Sequence, residues 1–276
     1  MEFGVNTAFS YLATVNLESW MVENAAYTQT AVVAMVVVIQ SLFGVGVLFL
    51  GTPLLLLLGF SMLEVVYLLL PISLSISVVQ SLQGRQDIHW PLVKVFASVA
   101  LPGAFAGSLL LKVTLVSPWL TLFIAAYLFF IALGFYFRLF PSVVSDLMRY
   151  HSLYWAITGI VHGLTNLGGP LLSTFVVTKF PDKHRSRATI AACYGFFVVV
   201  QWLTLFSKAD NQAIKTGFSG RNLSPWAMVA MALLIYWFVD ANVFKLWSDE
   251  RFKRIFGSLI LLMGFLLLIK GVLTAM

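Results

Sequence analysis

No Asp, Glu, Lys or Arg interrupts Tyr27–Gly59, a mostly apolar stretch of 33 residues. A helix that crosses a bilayer needs about 20 mainly apolar residues. This stretch is too long for one straight span and too apolar for water. Elsewhere charge is equally scarce: 10% of the 276 residues are charged, against about 25% in a soluble domain. Lipid must therefore be the solvent over most of the surface. Inside lipid only helices or a closed barrel can satisfy their own backbone groups. Barrel strands alternate apolar and polar residues over about 10 positions. Runs such as AVVAMVVVI, TPLLLLLGF and GSLILLMGFLLLI do not alternate. The expectation is an all-α integral membrane protein that crosses the cell (inner) membrane several times.

The net charge of +6 fits basic residues gathered in cytoplasmic loops better than a nucleic-acid partner. Cys193 is the single cysteine, so no intramolecular disulfide can form. No Cys/His cluster offers a metal site, and no cofactor is expected. The first 26 residues contain no Lys or Arg. They lack the basic start of a signal peptide and read as an extracytoplasmic or interfacial segment.

Eight hydrophobic blocks follow: Tyr27–Gly59, Met62–Gln83, Pro91–Leu111, Pro118–Phe140, Leu153–Phe180, Ser186–Ser207, Pro225–Phe244 and Phe252–Met276. The first and fifth exceed one span, and glycines break both near the middle. An offset of 122 residues lays Gly46 on Gly168, Leu42 on Leu164, Leu50 on Leu172 and Thr52 on Thr174. At the same offset Gln40 meets His162 and Gly44 meets Asn166. From the third block the offset becomes 134, where Pro91 meets Pro225, and an insertion of 12 at Lys208–Asn222 explains the change. Internal repetition of this kind marks two homologous halves. They are residues 27–140 and 153–276, joined by a loop at 141–152.

Charge then orients the halves. Eight plain crossings would split the Lys and Arg residues 9 to 8 between the two sides. If blocks one and five each enter and return on one side, the split becomes 12 to 5, as the positive-inside tendency demands. Each half then has three full crossings and one hairpin, so the second half is inverted relative to the first. Inverted repeats with broken helices meeting near the midplane are a transporter plan.

Breaks at membrane depth release backbone groups, which is tolerated only inside protein or beside a cavity. Free N–H groups at a new helix start attract an anion. The candidate substrate-binding residues are therefore Gln40, Ser41, Gly44, Gly46 and Thr52 at the first break. At the second they are His162, Thr165, Asn166, Gly168 and Gly169. Ser73, Ser77 and Gln80 share one face of the second block, and Tyr194 and Gln201 one face of the sixth. These five are candidates for lining a path. The bland readings are close packing of Gly159-x-x-x-Gly163 and hydroxyls bonded to their own helix.

The second break reads Gly163-Leu164-Thr165-Asn166-Leu167-Gly168-Gly169-Pro170, and the first keeps Gly44, Gly46 and Pro53 in comparable places. With the repeated block layout over 27–276, this resembles the sulfite exporter TauE/SafE family of membrane permeases. The resemblance implies a transporter, not an enzyme, for small sulfur-containing or organic anions such as sulfite, thiosulfate or sulfonates. No GxxxxGK[ST] loop is present, so ATP drive within the chain is unsupported. A proton or another ion is the expected coupling partner. Two other functions compete. An intramembrane enzyme would pair Cys193 with His162 or His151. A non-transporting membrane assembly subunit would move no anion.

Overall fold

The computed structural model describes residues 24–114, 118–136, 149–180, 182–206 and 225–243, with isolated helical positions between 258 and 272. The expected N-terminal segment up to residue 23 and most of the inter-repeat loop lie outside the described residues, as does the larger part of the eighth block.

Every regular element among the described residues is a helix. The first block divides into α1 (Ala25–Phe43) and α2 (Val47–Leu57), and α3 spans Met62–Gln83. Next come α4 (Trp90–Thr114) and α5 (Pro118–Tyr136). The fifth block divides into α6 (His151–Thr165) and α7 (Gly169–Lys179). The last two are α8 (Lys183–Phe206) and α9 (Pro225–Asn242). Helices α3, α4 and α8 are each long and apolar enough to cross a membrane. The chain is a multi-pass helical membrane protein.

Local chemistry sets several helix ends. Ser61 accepts from the Glu64 backbone N–H, and the Glu64 carboxylate accepts from the Ser61 N–H at 2.8 Å. This reciprocal cap starts α3 and gives Glu64 a definite task at the block edge. Asp182 accepts from the Arg185 N–H at 2.8 Å, which lets α8 begin one turn before the hydrophobic block would suggest.

Two packing contacts fix the frame. Helices α3 and α8 lie antiparallel, since Gly195 sits beside Ser77 and Gly84 beside Ala188. Helices α4 and α6 lie parallel and very close. A methyl group on Gly159 would overlap the Ala100 carbonyl, and one on Gly163 the Ala104 carbonyl. Gly103 and Gly107 face the Ala156 and Ile160 carbonyls in return. Small residues drive such approaches in lipid, where apolar burial alone gives no preference for protein over lipid. The Gly159–Gly163 pair is thus a packing motif. One end of the bundle is tied by Arg187 of α8, which pairs with Asp240 of α9 and donates to the Tyr236 hydroxyl at 3.1 Å. That hydroxyl donates in turn to Gln83 of α3.

Candidate functional site

Both broken blocks reverse direction. Gly44 ends α1 in the left-handed region, at φ 74°, and its N–H reaches the Gln40 carbonyl at 2.9 Å. The chain then folds back, so that a methyl on Gly46 would lie 2.8 Å from the Gln40 nitrogen. Asn166 ends α6 in the same region, at φ 65°, and its N–H reaches the His162 carbonyl at 2.8 Å. There a methyl on Gly168 would lie 2.5 Å from the His162 Cβ. Glycine and asparagine are the residues that accept this backbone most readily. Further along, α2 packs back toward the start of α3, with Gly51 against Leu69. Helix α7 packs back along α6, with Phe175 against Trp155 at 4.4 Å between ring centroids.

Each reversal is held by glutamine. The Gln40 side-chain oxygen accepts from the Val47 N–H at 2.9 Å, satisfying the first turn of α2. Its amide donates to the Ser73 carbonyl at 3.3 Å and the Ser77 hydroxyl at 3.4 Å. Gln80 donates to the Gln40 and Ser41 carbonyls at 3.1 and 3.3 Å, covering the open end of α1. At the second reversal Gln201 donates to the Gly163 carbonyl at 3.3 Å and to the Asn166 side-chain oxygen. Ser41 and Gly163 are again 122 residues apart.

The two reversals touch. The Asn166 amide donates to the Thr52 hydroxyl at 3.2 Å. A methyl on Gly169 would overlap a Val45 methyl and stand 3.5 Å from the Tyr194 hydroxyl. The N-terminal ends of α2 and α7 therefore face one region from opposite blocks. His162 is fully buried there, stacked on Phe197 at 4.1 Å and 9° and edge-on to Tyr194 at 5.4 Å. Among the described residues, neither imidazole nitrogen has a hydrogen-bond partner, and nor does the Tyr194 hydroxyl or the Gln201 side-chain oxygen. Buried polar atoms are normally paired, so this concentration calls for a ligand or water.

The sequence-expected residues fall into two connected groups. Gln40, Ser73, Ser77 and Gln80 meet at the first reversal. Thr52, His162, Asn166, Gly168, Gly169, Tyr194 and Gln201 meet at the second. Others turn inward on their own helices. The Ser41 hydroxyl donates to the Val37 carbonyl at 2.7 Å, and Thr165 donates to Val161 at 2.6 Å. Gly44 packs against the Arg187 and Ala191 backbone of α8 rather than beside His162. Sequence reasoning missed Val45, Phe197, Tyr127 and Tyr154. Tyr127 donates to the Leu167 carbonyl at 2.7 Å, and Tyr154 donates to that of Leu171. Their aromatic rings look like ordinary core residues in the sequence, and only the fold brings their hydroxyls to the second reversal.

The basic end lies elsewhere. Arg185 stacks over Phe180 at 4.9 Å, and His89 lies 4.7 Å from the same ring. Burial, then the Arg185 and Lys179 cations, hold His89 below the ordinary imidazole range.

A multi-pass helical bundle with two interrupted helices facing each other, and uncharged polar groups at the interruption, has the plan of many membrane transport proteins. The Sulfite exporter TauE/SafE family model matches residues 30–267, and the chain belongs to that family of permeases. Its function is transport rather than catalysis. No curated protein and no solved structure matches the chain.

Proposed function

We propose that the protein carries small anions, chiefly sulfur-containing oxyanions or organosulfonates, by alternating access between two inverted repeats. One observation carries this reading: the same reversal recurs at an offset of 122 residues. Gly44 answers to Asn166, Gly46 to Gly168, and the Gln80-capped carbonyl of Ser41 to the Gln201-capped carbonyl of Gly163. The two helices that follow turn their N-terminal ends, where the helix dipole is positive, toward one region. An anion bound there gains several hydrogen bonds without a fixed cation, and is released as readily as transport requires. Repeats 27–140 and 153–276 then each contribute one re-entrant hairpin and three crossings, with the N-terminus extracytoplasmic. The direct test is counterflow in liposomes with labelled sulfite, thiosulfate and methanesulfonate. Movement of at least one is expected. Flux of none would return the chain to the assembly-subunit reading.

Topology has its own test. In a Cys193→Ala background, single cysteines at Asp87, Asp146, Asp182 and Asp249 should all resist a membrane-impermeant thiol reagent in intact cells. Labelling at Asp182 without labelling at Asp146 would make the fifth block a full crossing.

The second reversal can be probed by ligand-dependent melting. Gly169→Ala places a methyl against Val45, while the double change Gly169→Ala/Val45→Ala relieves that overlap. The double variant should stay monodisperse in detergent yet lose the anion-dependent rise in Tm, which in the natural chain follows RT ln(1 + [L]/Kd). Full retention of that rise would move the site away from Gly169.

A further inference from the structure

The region where the reversals meet has an unusual electrical property. Helix α7 starts at Gly169 and α2 at Val47. The side chains gathered around these starts are His162, Tyr194, Phe197, Asn166, Gln201, Thr52 and Val45. None carries a fixed charge. From α8 the titratable group facing His162 is Tyr194, Gly168 just before α7 lies against its Cβ, and α6 turns its glycine face to α4; the Tyr127 and Tyr154 hydroxyls at this reversal are spent on the Leu167 and Leu171 carbonyls. Along α8, Arg187 precedes Tyr194 by 7 residues, about 10 Å at 1.5 Å per residue, and its charge is paired with Asp240.

An anion brought to such a place is a buried charge without a counter-charge. That is strongly unfavourable even after relaxation, and helix starts offset only part of it. Among the described residues, His162 is the one group at the site able to become a cation. Both of its ring nitrogens are buried and unpartnered, so one can take a proton while both then donate. The Tyr194 hydroxyl, also buried and unpartnered, can donate to the same ligand.

We propose that His162 binds one proton together with each monoanion, so that the loaded site is neutral and the protein is an anion–proton symporter. This rests on the transport reading above. The balance is simple: a proton joins an imidazole nitrogen when the anion enters, no covalent bond to the anion forms, and both leave on the opposite side. Charge compensation by His162 also sets selectivity, favouring monoanions over dianions of equal size.

The test uses purified protein in liposomes with methanesulfonate, a monoanion that does not itself titrate near neutrality, and a lumenal pH dye. With the membrane potential clamped at zero, uptake should acidify the lumen by one proton per anion. A lumen-alkaline gradient should drive accumulation. Apparent affinity should fall about tenfold per pH unit above the titration of the empty site and level off above that of the loaded site, as linkage of one proton requires. His162→Gln, which copies Gln40 of the first reversal, should lose the pH dependence, and Tyr194→Phe should weaken binding while keeping it. Methanesulfonate flux that follows membrane potential alone, without proton movement, overturns the proposal in the natural protein, whether or not any variant folds. Proton coupling that survives in His162→Gln does so as well. Absence of flux for methanesulfonate, sulfite and thiosulfate alike defeats the transport reading itself, which is a distinct result.

Discussion

Gly163→Val should remove almost all folded protein from the membrane. At this position a Cβ overlaps the Ala104 carbonyl oxygen and stands 2.7 Å from the Ser108 nitrogen. Those atoms are helix backbone and cannot swing aside. The helices would have to separate, and the close α4–α6 contact, on which van der Waals association in lipid depends, would be lost along its whole length. Gly159→Val should behave the same way for the same reason, at the Ala100 carbonyl. Gly195→Ala is the control. Its Cβ would meet only the Ser77 Cβ, at 3.6 Å, an ordinary contact distance. Size-exclusion profiles of the three variants in one detergent check the contrast. A monodisperse Gly163→Val peak at the natural yield would show that α4 and α6 are not held by this seam.

Gln40→Leu should give the second largest loss, this time in thermal stability. The Gln40 oxygen holds the Val47 N–H, and its amide reaches Ser73 and Ser77. Leucine fills a similar volume but leaves the buried Val47 N–H without its acceptor. An unsatisfied buried group costs about 1–3 kcal/mol, and here the loss falls at a reversal with no other local support from that side chain. Ser75→Ala is the matched control on the facing helix, since the Ser75 hydroxyl only returns to its own Pro71 carbonyl at 2.8 Å. Tm should drop by several degrees in the first and stay within a degree or so in the second. Equal melting of the two would mean that α2 starts without help from Gln40.

Composition and run length were enough to place the chain in a membrane, because a backbone in lipid has so few ways to satisfy itself. The glycine breaks were equally legible. Gly44 and Asn166 take left-handed backbone, and few other residues do so cheaply. The boundaries Met62–Gln83 agree with α3 residue for residue, because a capping Ser61 and Gly84 bracket an apolar run.

What only tertiary structure decided is which polar groups share a site. Periodicity put Ser73, Ser77 and Gln80 on one face, but not that this face holds Gln40 in place. Nor could it tell Gly159 and Gly163, which seat α4, from Gly168 and Gly169, which lie under His162 and Val45. A glycine in a sequence records only that a side chain is missing. Whether the space went to a neighbouring backbone, a turn or a ligand depends on what the fold brings against it. The same holds for His162. Its burial follows from a mid-block position, yet the lack of any partner for its ring nitrogens is set by Phe197 and Tyr194, more than 30 residues away in the chain, which reach it only because α8 crosses the second reversal.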